Sequence, residues 1–191
     1  LVNQDSSALR AGVLSIHLIN TFLLLGALTW TALAVDSGER LRRMGTPSWL
    51  ARILLLALVL VGVTGAITAL GDTLFPSRTL QEGFAADSDP LSHFLIRLRL
   101  IHPALALLTA MGGFQLWLST RGEGAARTWG NRFAILLCAQ IALGFLNVFL
   151  LAPVAMQILH LALADLVWIS AVAWVSLSAT RIQLRVRVGA A

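Results

Sequence analysis

Lysine is absent from this chain, so all 14 of its basic residues are arginine, and cysteine occurs once, at Cys138. A single cysteine excludes an intrachain disulfide. Charged residues make up only 12% of the chain, against about 25% in soluble domains, which excludes an ordinary soluble domain. The apolar runs show no period-2 alternation, which excludes a transmembrane barrel. No HxxxH or similar spacing occurs, which argues against zinc or copper, since those sites use closely set His, Cys and carboxylate ligands. What remains is 191 residues, 58% of them hydrophobic, with a mean hydropathy of +0.82. Several apolar runs reach the roughly 20 residues needed to cross a bilayer. The net charge of +5 is no argument for nucleic acid, because basic residues in a membrane protein mark topology.

The expected fold is an all-α integral membrane protein with five transmembrane helices, at about 9–35, 50–71, 92–118, 132–151 and 154–179. Arginine sets the orientation. Arg40, Arg42, Arg43, Arg52, Arg121, Arg127, Arg132, Arg181, Arg185 and Arg187 fall on one side, leaving Arg10, Arg78, Arg97 and Arg99 for the other. By the positive-inside rule the N-terminus faces out and the C-terminus faces the cytoplasm or matrix. Trp30, Trp49, Trp117, Trp129 and Trp174 lie near the arginine-rich side, as interfacial anchors do. The setting is a bacterial cell membrane or a mitochondrial inner membrane. In the one long outer loop, "SDP" at Ser88–Pro90 predicts an N-cap with proline at the first helical position. Ala152-Pro153 predicts a tight turn between the last two spans.

Three histidines lie about seven to twelve residues inside the outer ends of helices that run in the same direction: His17, His102 and His160. Ionisable residues at membrane depth are functional candidates by default. One such histidine alone would be read as a helix–helix hydrogen bonder. Three at one depth point to ligation, and a haem iron needs only two axial imidazoles from two helices. His102 shares its face with Ala106 and Thr109, and His160 with Ala164. Those small neighbours suit a flat macrocycle, so bis-histidine haem is the leading chemical reading. His93 sits about half a turn away in helical phase from His102 and is expected to contact the interface or the loop.

Arg99 precedes His102 by three residues on the same face. It could pair with haem propionates, or both it and Arg97 could reach lipid headgroups. Pro103 withholds the N–H that would bond the Arg99 carbonyl and is expected to kink the helix beside the histidine. Gly62, Gly65 and Gly144 allow close helix approach, for packing or for a haem edge. Asp165 is expected to bond a neighbouring helix, with Gln140 or Asn147 as partners, or to relay protons. Cys138 is expected to be an inert core residue.

"IHLINTFLLLGALTW" and "LHLALADLVWISAVAW" echo each other, each opening on His-Leu and closing on a tryptophan 13 or 14 residues after the histidine. Such repeats are common in membrane proteins. On this reading residues 49–191 form a four-helix haem-binding bundle. Residues 1–48 supply the last helix of an N-terminal half-bundle plus a cytoplasmic loop, in a pseudo-symmetric architecture of eight helices and two four-helix bundles. The chain begins with Leu1 rather than Met, in keeping with a piece of something longer.

"LSIHLINTFLLLGALTWTAL", "LVGVTGAITALGDTLFP", "HFLIRLRLIHPALA" and "GFLNVFLLAPVAMQILHLALADLVW" together resemble the heme A synthase family of cytochrome oxidase assembly enzymes. The likeness spans nearly the whole chain. It implies a haem b cofactor held by His102 and His160, and a substrate side facing heme O to which this chain contributes His17. The implied activity oxidises a porphyrin methyl to a formyl, giving heme A for cytochrome c oxidase. The implied partners are haem, the lipid bilayer, heme O synthase and oxidase assembly factors, with no nucleic acid. The chain departs from the family at His102-Pro103, where His-Arg is usual, with Arg99 as a substitute. It also departs at 71–92, where the cysteine pair of some members is missing. The family's acidic outer residue belongs to the other half, so Glu82, Asp87 and Asp89 inherit no role. Two readings compete with this one. The first is a b-type cytochrome exchanging electrons with quinone; the second is a structural protein whose histidines only pack. The genomic reading frame should continue upstream into a histidine-bearing helix after an acidic outer loop. A start codon immediately before Leu1 would sink the two-unit expectation.

Overall fold

A computed structural model describes residues 7–37, 47–120 and 124–188, without the side chains of 36, 37 and 180–188. All regular structure among the described residues is helical: α1 (Ala8–Ser37), α2 (Trp49–Leu74), α3 (Leu80–Ser88), α4 (Phe94–Arg97), α5 (Ile101–Ser119), α6 (Gly124–Phe149) and α7 (Val154–Val188). Five segments are long and apolar enough to cross a membrane: Ala8–Val35, Trp49–Leu74, Phe94–Ser119, Gly124–Phe149 and Val154–Ala179. The chain is thus a multi-pass membrane protein. Arg40, Arg42, Arg43 and Arg121 lie outside the described residues, as do the side chains of Arg181, Arg185 and Arg187.

Helices α2, α5, α6 and α7 close a four-helix ring, and α1 packs outside it on α2 and α7. Small and aromatic residues hold the ring together. Phe133 is fully buried and stacks on Trp174 with ring centroids 5.3 Å apart. Trp168 stacks on Phe22 of α1 at 5.1 Å and donates its indole N–H to the Phe22 carbonyl at 2.7 Å. A side chain on Gly62 would come within 2.9 Å of Leu18 and Phe22, so this glycine lets α1 close onto α2. Leucines such as Leu24, Leu56 and Leu108 point away from the bundle. That suits a hydrocarbon solvent, which gives no reason to hide them.

Three boundaries differ from expectation. Pro90 does not open a helix: Ser88 ends α3, and Asp89 forms a turn by accepting the Leu91 N–H at 2.9 Å. That local bond competes with helix formation. The next helix starts at Phe94, where His93 Nδ1 accepts the Leu95 N–H at 3.3 Å. The third span is not one kinked rod but two helices, with i→i+3 bonds at Arg99 and Ile101 tightening the chain between α4 and α5. Pro103 therefore falls in the first turn of α5, where a missing N–H costs nothing. The fourth span begins eight residues early at Gly124. Its arginine-bearing first turns are too polar for a hydropathy window yet continue the helical backbone beyond the membrane.

The predicted turn between α6 and α7 is present and strained. Leu151 and Ala152 both take positive φ, 59° and 52°, a region that costs non-glycine residues roughly 1–2 kcal/mol each. Bonds from the Ala152 N–H to the Asn147 carbonyl (2.8 Å) and from Gln157 Nε2 to the Ala152 carbonyl (2.7 Å) hold it. Ala152→Gly should therefore raise thermal stability in detergent by about 0.5–1 kcal/mol. An unchanged or lower unfolding temperature would show that the turn is not strained.

Candidate functional site

Of the three deep histidines, the structure brings two together. His102, on the second residue of α5, and His160, on the second turn of α7, have ring centroids 6.3 Å apart and nearly perpendicular planes at 85°. Two imidazoles on opposite sides of one metal, at about 2.0–2.1 Å per bond, put their centroids roughly 6–6.5 Å apart. His17 stands apart, exposed on the outer face of α1. Among the described residues, no three His, Cys, Asp or Glu side chains group to hold a metal ion.

The two imidazoles are held differently. His102 Nδ1 donates to the Val61 carbonyl at 3.1 Å and lies 3.3 Å from the Thr64 hydroxyl, which itself donates to Val61 at 2.9 Å. A carbonyl only accepts, so Nδ1 carries the proton and Nε2 keeps its lone pair, the form that binds a metal. His160 has no such carbonyl. Gln140 Nε2 reaches its Nε2 at 3.1 Å, while His160 Nδ1 and Gln140 Oε1 are both buried without a hydrogen-bond partner among the described residues.

Glycine makes room at both rings. A Cβ on Gly65 would lie 2.9 Å from His102 Cε1, and one on Gly144 would lie 3.2 Å from His160 Cε1. Gly62 thus serves packing, whereas Gly65 and Gly144 serve the histidines. A pair of imidazoles at this separation, one with its metal-binding nitrogen fixed, backed by residues without a Cβ and beside orphaned polar atoms, suits a haem iron.

Arg99 is engaged by protein groups. It bridges three segments at the end of the bundle nearest His102 and is only 10% exposed. Its Nη2 donates to the carbonyls of Gly71 (3.1 Å) and Phe75 (2.7 Å), capping α2. Nε lies 3.0 Å from Asp72, and Nη1 lies 3.8 Å from Asp87 on α3. Gly71 permits this because a Cβ there would meet the Leu95 carbonyl at 3.0 Å. Burial pushes the Asp87 carboxyl above its ordinary range, and Arg99 pulls the other way without winning.

His93 packs against Phe75 and Phe94 at 4.8 and 4.6 Å, in contact with the loop as expected. Arg97 is exposed. Asp165 does not bond Gln140, whose amide goes to His160, and its Oδ1 has no hydrogen-bond partner among the described residues. Asn147 Oδ1 is likewise buried without one. Cys138 is exposed rather than in the core, because α6 turns Phe133, Ala134 and Leu137 inward instead. It borders a groove of about 640 Å³ that also touches Trp117, Asn131 and Trp174, toward the far ends of the helices from the histidines. The Asp72–Arg99 pairing and the Gln140–His160 contact are not legible in the sequence. The tight 150–153 turn was the available signal for the contact, since antiparallel helices pair residues at comparable distances from their turn.

A membrane bundle built around a histidine pair agrees with what is known of similar sequences. The model of the cytochrome oxidase assembly protein family, COX15-CtaA, matches residues 3–172. The chain belongs to this family. It is similar to "Protoheme IX farnesyltransferase" of Thermus thermophilus, 42% identical over 166 residues, covering 84% of this chain and 27% of the relative. The protein of the same name from a second strain of Thermus thermophilus matches with the same identity and coverage. The chain thus spans about a quarter of the length of these curated relatives. No solved structure matches.

Arg99→Met should lower stability by about 3 kcal/mol, because it uncaps α2 and leaves two half-buried carboxylates without their cation. Asp87→Asn should behave oppositely. A pKa raised by folding contributes stability below the unfolded value and loses it as pH rises through the folded one. Asp87→Asn should therefore leave stability at pH 7 unchanged or higher, with the gain vanishing in acid. Thermal melts from pH 4 to pH 8 check both.

Proposed function

We propose that this chain is the haem-holding portion of a heme A synthase-like membrane oxidoreductase. Its proposed reaction oxidises the methyl of heme O to the formyl of heme A for cytochrome c oxidase. The observation that carries the reading is the His102–His160 pair at 6.3 Å within a cytochrome oxidase assembly protein. His102 and His160 would be the axial ligands of a haem b, which when bound supplies one-electron redox chemistry. The protein's own contribution is orientation. Val61 and Thr64 fix the His102 tautomer, while Gly65 and Gly144 keep the space beside the rings open.

His17 belongs on the substrate side in this proposal. Its exposure at membrane depth suits a face covered by a second histidine-bearing half, in the eight-helix arrangement. The N-terminus of this chain would face outward and its C-terminus inward. Arg99 would act by holding the outer loop rather than by touching propionate. The relatives' name concerns protoheme as a substrate of farnesyl transfer. That transfer need not reside in the matched quarter, and the haem chemistry of the name accords with a haem-handling segment and with heme O synthase as a partner.

A membrane b-type cytochrome that only exchanges electrons with quinone is the second reading, since paired axial imidazoles suit electron transfer equally. The purified protein should show a Soret band with a bis-histidine spectrum, and His102→Ala or His160→Ala should each abolish that bis-histidine spectrum. Cells expressing the complete gene should convert heme O to heme A. Haem without conversion would favour the cytochrome, and a bis-histidine spectrum retained after either substitution would break the pairing.

A further inference from the structure

The two imidazoles differ in a way that neither family membership nor the proposed reaction assigns. His102 is anchored through Nδ1 by Val61 and Thr64, which leaves its Nε2 outside that anchoring among the described residues. His160 is the reverse. Its Nε2 is the nitrogen that a protein group already holds, through the Gln140 amide at 3.1 Å. Its Nδ1 lacks the carbonyl or carboxylate that ordinarily locks a ligating histidine. The amide is itself under-used, because Gln140 Oε1 is buried with no partner, a state that normally costs stability.

Gly144 lies one turn after Gln140 on α6, leaving space at His160 Cε1. The α6–α7 pair is tightly packed and joined by a short, bonded turn. Moving between two partners would thus ask the imidazole for a side-chain rotation and ask nothing of the helices.

We propose that Gln140 is a positioning residue that competes with iron for His160 Nε2, making His160 the exchangeable axial ligand and His102 the fixed one. The inference rests on the haem reading above. With haem bound, His160 Nε2 would give up its coordinate bond to iron and accept an N–H···N bond from the Gln140 amide, the contact seen at 3.1 Å. The lone pair that served the metal accepts the amide proton's hydrogen bond. No electron is transferred and no proton changes owner. A small diatomic ligand would take the place that His160 leaves.

The test uses the complete haem-loaded protein, reduced with dithionite and titrated with carbon monoxide, comparing wild type, Gln140→Leu and Gln140→Asn. Leu removes the amide, and Asn withdraws it by one methylene. Haem content is read from the Soret band in parallel. Wild type should bind carbon monoxide, and both variants should keep their haem while their carbon monoxide affinity falls about five- to tenfold, the loss of one hydrogen bond to the released imidazole. A merely structural glutamine would change haem content or melting temperature and not this balance. The proposal is overturned by an unchanged or higher affinity in the variants, by loss of haem from both, or by a wild-type haem that refuses carbon monoxide. A wild type with no Soret band would instead overturn the haem reading, and the exchange with it.

Discussion

The end of this bundle nearest His102 is organised by one guanidinium. Arg99 closes the C-terminal carbonyls of α2, meets the acid at the end of that helix, and reaches an acid on the loop helix α3. Because it sits between α4 and α5, those contacts also fix where the second of these helices starts. His102 is the second residue of α5, so the depth and direction of its ring follow from a contact made one turn above it. A planar five-donor group suits the task. It can serve two carbonyls and two carboxylates at once, which an ammonium could not do with fixed geometry.

Below that junction the arrangement is set by what is missing from the side chains. Three glycines admit three different bodies: Gly62 admits α1, Gly65 admits one imidazole and Gly144 admits the other. In hydrocarbon, helix association relies on close packing and on polar contacts rather than on exclusion from water. The same residues that bring the helices together therefore also open the space around the histidines. Scaffold and site are built from one device, used at three positions.

The helices were legible in the sequence because apolar length alone identifies a span, and the pairing of His102 with His160 followed from equal depth on parallel helices. The start of α5 was not legible. A proline beside His102 reads as a kink within a helix, and only the tertiary contacts of Arg99 show that the helix begins there. The protein partners of Arg99 are not legible, because Asp72 and Asp87 reach it from segments 27 and 12 residues away in the chain. Gln140 was noticed only as a neighbour for Asp165. Helical phase predicts which face a side chain occupies, and it does not say which of two polar groups on the facing helix will be met.

The bond from the Trp168 indole to the Phe22 carbonyl has an evolutionary consequence. Its acceptor is main chain, which every amino acid supplies. The link between α1 and α7 can therefore survive drift at position 22, at the expense of the ring stacking alone. Position 168 has no such freedom, because only an indole carries that N–H at that reach. Across related chains, variation at this junction should accumulate on one side of the contact and not on the other.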